Sequence, residues 1–289
     1  MAATDLRRRL TVVGVGIPVG VLVIYLGVWP VAVLLSIVAA IGAGELYTIA
    51  ERGDCYPFRR VGMIVSGLLV LLAAWAESFS AWSVYAVGVL LGLTLLSLAG
   101  AVFLRLPDRS PLASVAVTVL AAIYLGSTLS FGVHLRVLPG VSDGSAGWDG
   151  AIVLIFPLVV TWAGDSAAYF SGRRWGRTKL LPAVSPGKTR AGAVGGLLGA
   201  VIAAAAYSAL LINPHTTMTV SLLSGAVLGV LLGGIAQLGD LAESLLKREG
   251  RVKDSGTLLL GHGGMLDRFD SVLFTLPMTY ALLLMLLGP

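Results

Sequence analysis

Long apolar runs separated by short polar breaks follow one another along almost the whole chain. A helix needs about 20 consecutive apolar residues to cross the hydrocarbon core of a bilayer, and most of these runs have about that length. The pattern predicts nine transmembrane helices, at residues 11–28, 30–50, 61–77, 82–104, 112–134, 151–171, 191–212, 218–241 and 271–288. The predicted fold class is therefore all-α, a polytopic transmembrane helical protein.

The composition indicates lipid as the main solvent. Of the 289 residues, 57% are hydrophobic and 12% are charged, whereas roughly 25% of the residues of a soluble domain are charged. The first apolar run follows three arginines, as in a signal peptide, but it has no evident small-residue cleavage site and further runs follow it. We therefore expect a retained first helix. The single cysteine, Cys55, cannot form an intrachain disulfide and is interpreted as an ordinary thiol.

The positions of lysine and arginine predict the orientation in the membrane, because short cytoplasmic loops are enriched in these residues. If the N-terminus is cytoplasmic, every basic residue except Arg136 lies on the inner side. An odd number of spans keeps this pattern consistent. The net charge of +5 is then a signal of topology, and no nucleic-acid partner is expected. We expect a multi-pass protein of the cell membrane, with its charged site on the cytoplasmic face.

The distribution of polar residues divides the chain into two regions. Residues 1–150 contain five predicted spans with little chemistry and are interpreted as a transmembrane scaffold, whereas residues 151–289 are interpreted as the catalytic region. Two glycine pairs, Gly192 with Gly196 and Gly195 with Gly199, have the small-xxx-small spacing that lets helices approach closely. Packing is the favoured interpretation of these glycines, and exposed faces of this kind are also compatible with a homodimer.

The first of three polar constellations surrounds Asp165, close to the end of a predicted span. An ionisable residue within a span costs at least about 2.5 kcal/mol on insertion scales and usually faces a cavity or a partner. Ser166 and Tyr169 continue a polar stripe toward Arg173 and Arg174. Two interpretations stay open: a carboxylate that reaches toward these arginines, or an inward-facing carboxylate beside a cytoplasmic pocket.

The second constellation is the loop Ser185-Pro-Gly-Lys-Thr189, which precedes a helix predicted to begin near Ala191. Its two hydroxyls, Lys188 and the free N–H groups of the helix N-terminus could together bind phosphate. The GxxxxGK[ST] spacing of a nucleotide-binding P-loop is absent. A Ser-Pro turn with a lysine that serves topology is the alternative.

The third constellation, from Gln237 to Asp270, holds most of the candidate chemistry. Asp240, Ser244 and Lys247 are spaced i, i+4 and i+7 and share one helix face. A further group of polar residues follows in the sequence: Lys253, Asp254, His262, Asp267 and Asp270. Carboxylates are favoured at a helix N-terminus, so capping is the alternative for the last two. Carboxylates without cysteine suit Mg²⁺, and the neighbouring cations suit a polyanionic substrate. The combination suggests phosphoryl or nucleotidyl transfer at the inner membrane face.

These motifs resemble those of a known family. The order of Ser244-Leu-Leu-Lys-Arg248, Lys253-Asp-Ser-Gly256, His262-Gly-Gly264 and Asp267-Arg-Phe-Asp270 resembles the signature of the phosphatidate cytidylyltransferases, also called CDP-diacylglycerol synthases. The earlier DSAAYFSGR and SPGKT elements are similar to that family's as well, so the resemblance covers roughly Asp165 to the C-terminus. Two positions depart from the pattern: Leu260 stands where the family usually has proline, and Ala191 where it usually has glutamate.

The resemblance implies that CTP and phosphatidic acid react in the bilayer to give CDP-diacylglycerol and pyrophosphate, with Mg²⁺ as the cofactor. Phosphatidate already carries an anionic oxygen, so the reaction needs charge neutralisation and alignment more than a general base. On this hypothesis Asp240 and Asp267 hold the metal, with Asp165, Asp254 and Asp270 as support. The expected phosphate-binding residues are Ser185, Lys188, Thr189, Lys247, Arg248, Lys253 and Arg268. His262 would contact phosphate or position its loop, with a structural turn histidine as the alternative.

Other functions are also compatible with parts of the pattern. A transporter would use Asp165 and Asp240 along an ion path, but it predicts polar residues toward the midplane and on both faces. Here nearly all the polar density is predicted inside. Nearer rivals are other CTP-using lipid enzymes, such as a CDP-archaeol synthase or a polyprenol kinase, because no residue identifies the lipid tail.

Overall fold

The computed structural model describes residues 14, 16–76, 78–104, 110–256 and 263–287. Within these ranges the chain forms helices that we number in chain order: α1 Gly16–Tyr25, α2 Val28–Glu51, α3 Arg59–Trp75, α4 Phe79–Leu104, α5 Pro111–Arg136, α6 Trp148–Trp175, α7 Arg190–His215, α8 Leu222–Glu249 and α9 Leu266–Leu287. Both α5 and α7 contain a π-helical turn, at Ala122–Ser127 and Ser208–Ile212. The predicted all-α fold is confirmed.

Seven helices in the described ranges are long and apolar enough to cross a membrane, namely α2 and α4 to α9. Helix α3 has 17 residues, and α1 is a shorter apolar helix. Several basic residues used for the topology prediction lie outside the described ranges: Arg7, Arg8, Arg9, Arg105 and Arg109. The chain is thus a polytopic helical membrane protein, while the count of nine spans stays a prediction.

Large apolar side chains cover the outside of the helices. In α4, Leu95 is 66% exposed, Val102 77% and Phe103 85%. Leaving such side chains in water forgoes about 1.5–3 kcal/mol each relative to burial, whereas the hydrocarbon of a bilayer accommodates them. The exposed surface of α4 therefore suits lipid, as its composition predicts.

By its internal contacts the chain divides into two compact units. The first unit comprises Met1–His134 and Leu246–Phe269, and the second comprises Leu135–Leu245 and Asp270–Pro289. The residues of α5, α8 and α9 are shared between the units, since the divisions fall inside these three helices. The predicted division into a scaffold and a catalytic region at residue 150 is a functional one, and it stays a prediction.

In the first unit, polar side chains tie the apolar helices together. Tyr47 of α2 donates its hydroxyl proton to the carbonyl oxygen of Thr118 in α5 at 3.0 Å. Trp82 of α4 donates its ring N–H to the carbonyl oxygen of Leu69 in α3, also at 3.0 Å. Buried donors are costly when they have no acceptor, so these contacts fix how the helices of this unit pack.

In the second unit, α6 and α7 pack closely along the predicted glycine pairs. A Cβ atom placed on Gly195 would lie 2.0 Å from Ser171 Oγ, and one placed on Gly199 would lie 2.4 Å from Ala167 Cβ. Gly192 and Gly196 likewise approach Ala168 of α6. The packing interpretation of these glycines is confirmed. Because their faces are used inside this unit, the two pairs give no support to a homodimer.

A short β-hairpin connects α6 to α7. Strand β1, Lys179–Leu181, pairs antiparallel with β2, Ser185–Thr189, with Lys179 opposite Thr189 and Leu181 opposite Ser185. The sequence predicts a loop here, because proline and glycine are depleted in strands. The prediction of a loop is wrong, because the two segments form an antiparallel pair of strands. Each strand provides hydrogen-bond partners for the backbone of the other, and the strand preferences of single residues do not reveal such pairing.

Candidate active site

A cavity of about 530 Å³ lies in the second unit. Its walls come from the C-terminal half of α6, the hairpin, the first turn of α7 and the C-terminal half of α8. The polar side chains that line it are Asp165, Tyr169, Arg173, Lys179, Lys188, Thr189, Gln237 and Asp240. We call it the hairpin cavity. Four predicted site residues from three separate stretches of sequence therefore share one space.

An ion pair in the hairpin cavity joins the second and third constellations. Lys188 Nζ lies 2.7 Å from Asp240 Oδ2, and the two side chains are 24% and 33% exposed. Partly buried charges are screened by salt less than surface charges, so this ion pair holds the hairpin near α8. Ser244 Oγ donates to the other carboxylate oxygen of Asp240 at 3.4 Å, as the predicted shared helix face requires.

Two further carboxylates of the second unit are close enough to interact with Asp240. The charge of Asp240 acts on both Asp165 and Asp270. Asp165 lines the hairpin cavity, whereas Asp270 is half-buried near the start of α9. Neighbouring carboxylates repel one another and attract cations, so Asp165 and Asp240 add negative charge to the cavity lining, with Lys188 beside Asp240.

The first turn of α7 forms part of the lining of the hairpin cavity. Thr189 has extended backbone angles, and its Oγ1 accepts a hydrogen bond from Gly192 N at 3.1 Å. The side chain thus caps α7, as threonine often does. The other N–H groups of the first turn have no partner within the helix, and the helix dipole favours anions there. Ser185, at the start of β2, is half-buried and outside the cavity lining.

Four polar residues of the lining are absent from the predicted site: Tyr169, Arg173, Lys179 and Gln237. Arg173 Nη1 donates to Tyr169 Oη at 3.2 Å, and Gln237 Nε2 donates to the carbonyl oxygen of Ala193 at 3.0 Å. Tyr169 and Arg173 follow Asp165 by one and two turns, and the sequence indicates their common polar stripe without assigning either residue to the site. Lys179 had no such signal, because only the strand pairing brings it to the cavity.

A second polar cluster lies in the first unit around Asp267. Lys247 Nζ is 2.7 Å from Asp267 Oδ1, and these side chains are only 13% and 9% exposed. Asp267 Oδ2 accepts from Ser255 N at 2.9 Å, Ser255 Oγ at 3.0 Å and Gly264 N at 2.8 Å. We call this group the Asp267 cluster. Asp267 lies in the first turn of α9, and its carboxylate accepts hydrogen bonds from backbone N–H groups that precede the helix. These contacts agree in part with the capping alternative.

The remaining predicted site residues that the structure describes are not part of the hairpin cavity lining. Lys253, Asp254, Arg248 and Arg268 are exposed. His262 lies outside the described residues. Their predicted roles stay predictions.

The donor set can be tested against the predicted Mg²⁺. Among the described residues no three His, Cys, Asp or Glu side chains are grouped as a ready-made metal site. Mg²⁺, however, commonly takes one or two carboxylates and completes its shell with water and substrate phosphates. Asp240, with Asp165 and Asp270 near it, fits that mode of binding, since all its candidate ligands are hard oxygens. The residues fit an ion that arrives with a phosphate substrate better than a resident structural ion.

Fold and site together define a polytopic helical membrane protein with a cavity that is lined by lysine, arginine and aspartate side chains. Residues 7–286 match the cytidylyltransferase family. The chain belongs to this family.

Three curated relatives with the name phosphatidate cytidylyltransferase match this chain over different lengths. A phosphatidate cytidylyltransferase of Synechocystis is 30% identical over 298 residues, covering 97% of each chain. One of Thermotoga maritima is 37% identical over 199 residues, covering 68% of this chain and 70% of the relative. One of Bacillus subtilis is 40% identical over 164 residues, covering 57% and 56%.

Proposed function

We propose that this chain is a phosphatidate cytidylyltransferase, which converts CTP and phosphatidic acid into CDP-diacylglycerol and pyrophosphate in phospholipid biosynthesis. The observation that carries the proposal is the similarity to the Synechocystis relative of that name over 97% of both chains. The hairpin cavity supports it independently, since it combines cations, carboxylates and a helix N-terminus in a chain that crosses the membrane.

The reaction depends more on neutralising the negative charges of the two substrates than on transferring a proton. An anionic phosphate oxygen of phosphatidate attacks the α-phosphorus of CTP and forms the new P–O bond. The bond from that phosphorus to the bridging oxygen of the β-phosphate breaks, and pyrophosphate leaves with the electron pair. Both reactants are anions, and their repulsion is strong where the dielectric constant is low. The site must therefore neutralise charge and hold the two phosphates in line.

The basic residues of the hairpin cavity can supply that neutralisation. Lys188, Lys179 and Arg173 line it together with the first turn of α7. Lys188 is held by Asp240 at 2.7 Å, which keeps its ammonium group at the cavity wall before substrate enters. A phosphate that binds there competes with Asp240 for Lys188, and the freed carboxylate can then bind a cation.

We retain Mg²⁺ as the proposed cofactor. Asp240, with Asp165 or Asp270, would hold it in the second unit, and Asp267 keeps its predicted role as a separate proposal. When bound, the ion would neutralise phosphate oxygens and stabilise the charge that develops on the leaving pyrophosphate. The lysines and the helix N-terminus perform the remaining tasks of binding and orientation.

The proposed enzyme is a multi-pass protein of the cell membrane with nine spans, a cytoplasmic N-terminus and a cytoplasmic active site. The distribution of basic residues supports this orientation. It also places the site where CTP is available. CTP and the lipid are the proposed partners, and a homodimer is left as a proposal without a specific surface.

The direct test uses purified protein with labelled CTP, Mg²⁺ and phosphatidic acid in detergent or vesicles. We expect pyrophosphate release in step with formation of a labelled CDP-lipid. Release of CDP with a phosphorylated lipid would instead identify a kinase. Turnover only with an archaeal-type ether lipid would identify a CDP-archaeol synthase. Absence of CTP turnover with every lipid phosphate would contradict the proposal and return the transporter to consideration.

A further inference from the structure

A carboxylate from the predicted scaffold region enters the Asp267 cluster. Glu45 lies in α2, far from the other members of the cluster in sequence, and is only 9% exposed. Its Oε2 accepts from Ser255 Oγ at 2.8 Å and from Leu266 N at 2.8 Å, and its Oε1 accepts from Met265 N at 2.9 Å. A buried carboxylate is stable only when such donors compensate for its lost hydration.

Two of these three donors belong to the N-terminus of α9. Met265 immediately precedes the helix and Leu266 is its first residue, so their N–H groups have no carbonyl partner within the helix. An anion at this position is also favoured by the helix dipole. Glu45 therefore caps α9 from a different helix, in place of a local side chain.

Ser255 links Glu45 to Asp267. Its Oγ lies 2.8 Å from Glu45 Oε2 and 3.0 Å from Asp267 Oδ2. Because a hydroxyl donates one proton, Ser255 serves one carboxylate at a time, while its backbone N–H stays bonded to Asp267 at 2.9 Å. The position of Asp267 thus depends on a segment that Glu45 holds.

Two glycines, Gly256 and Gly264, leave space for the carboxylate of Glu45. A Cβ atom placed on Gly256 would lie 2.5 Å from Glu45 Oε1. One placed on Gly264 would lie 2.4 Å from Glu45 Oε2 and 2.2 Å from Ser255 Oγ. Real Cβ atoms do not approach so closely, so the backbone reaches the carboxylate only because both residues are glycine.

We infer that Glu45 is a positioning residue for turnover: it fixes Ser255 and the N-terminus of α9, and through them it holds Asp267 against Lys247. It acts through these groups, and it is not among the residues that line the hairpin cavity. The inference rests on the proposed function for its kinetic part and on the contacts just described for its structural part.

The test compares Glu45→Gln with Glu51→Gln, a matched change on the same helix. Glu51 is exposed and pairs only loosely with Arg59, at 3.4 Å. A misplacement of about 1 Å in a supporting group can cost about 100-fold in rate, so we expect Glu45→Gln to lower kcat by about 10- to 100-fold. The KM for CTP should change by less than about threefold, since the residue does not bind nucleotide. Glu45→Asp should recover part of the lost kcat, and Glu51→Gln should behave as wild type.

A second measurement does not require turnover. Hydrogen exchange of the purified protein should become faster in Glu45→Gln at Met265 and Leu266, with exchange in α6 and α7 unchanged. If wild-type protein fails to make CDP-lipid, the proposed function is wrong while this measurement still tests the contacts. Unchanged exchange at the start of α9 would overturn the inference. So would a kcat loss that matches a loss of folded protein, or a wild-type kcat in Glu45→Gln.

Discussion

Lys188 and Asp240 form an ion pair that is complete before any substrate enters. Each group compensates the charge of the other across 2.7 Å, so neither is left uncompensated in a partly buried cavity. A phosphate that takes Lys188 and a cation that takes Asp240 would replace the pair together. At the scale of single residues, the proposed function therefore requires both a phosphate and a cation to replace this ion pair.

We predict that Asp240→Asn lowers Mg²⁺-dependent turnover by about 100-fold or more, because a metal ligand contributes several kcal/mol to such transition states. Glu249→Gln is the control, since Glu249 is an exposed carboxylate at the end of the same helix. Both variants should be assayed for pyrophosphate release after their insertion and folding have been verified. Wild-type turnover in folded Asp240→Asn protein would show that the metal assignment is wrong.

Helical spacing predicted some of these residue contacts and missed others. The i, i+4 relation of Asp240 and Ser244 appears as a hydrogen bond. Lys247, expected as a phosphate ligand, is paired with Asp267, which was expected as a metal ligand. Spacing along one helix identifies which side chains share a face, but it does not identify the partner that another segment brings to that face.

At the scale of elements, the contact between α6 and α7 determines the shape of the hairpin cavity. The two helices approach so closely that a methyl group on Gly199 would overlap Ala167. This approach brings Asp165 of α6 and the first turn of α7 into the same wall. The hairpin then adds Lys179 and Lys188, so the cavity depends on both the glycine contact and the strand pairing.

The same substitution at two glycines tests this contact. Gly199→Ala should destabilise the protein by about 1–3 kcal/mol, since the added methyl forces the two helices apart. Gly234→Ala in α8 meets no atom within 4 Å and should be neutral or stabilise by up to about 1 kcal/mol through helix propensity. Thermal unfolding of each variant in detergent measures the difference. Equal midpoints for the two variants would mean that α6 and α7 do not pack as described.

At the scale of the whole molecule, the distribution of basic residues predicts the orientation of the helices in the membrane. Nearly all basic residues fall at the ends of helices that the orientation prediction assigns to the cytoplasm. The orientation prediction assigns the connection between α2 and α3 to that side, and this connection contains Cys55, the single cysteine of the chain. A natural probe for the predicted orientation is therefore already present.

We expect a membrane-impermeant maleimide to label Cys55 in inside-out vesicles and not in intact cells. A Cys55→Ala, Ala146→Cys variant should show the reverse, since Ala146 is exposed in the connection before α6 that is predicted to lie outside. Cys55→Ala without the added cysteine reports background labelling. Labelling of Cys55 from the outside would invert the predicted topology and move the proposed site away from CTP.

The sequence by itself determined the properties that depend on neighbours along the chain. Apolar runs predicted helices that suit a bilayer, and the third constellation with its ordered motifs predicted the family. Local hydrophobicity and short spacings are sufficient for both, because they reflect how each segment meets its solvent or its own helix face. The same argument explains why the glycine pairs of α7 were correctly interpreted as packing residues.

Only the tertiary structure decided which polar groups meet. It paired Lys188 with Asp240 and Lys247 with Asp267, and it brought Glu45 from a supposed scaffold helix to the start of α9. The members of each contact are separated by whole helices in sequence, so no periodicity relates them. Buried charges must find partners when the helices pack, and the packing selects those partners.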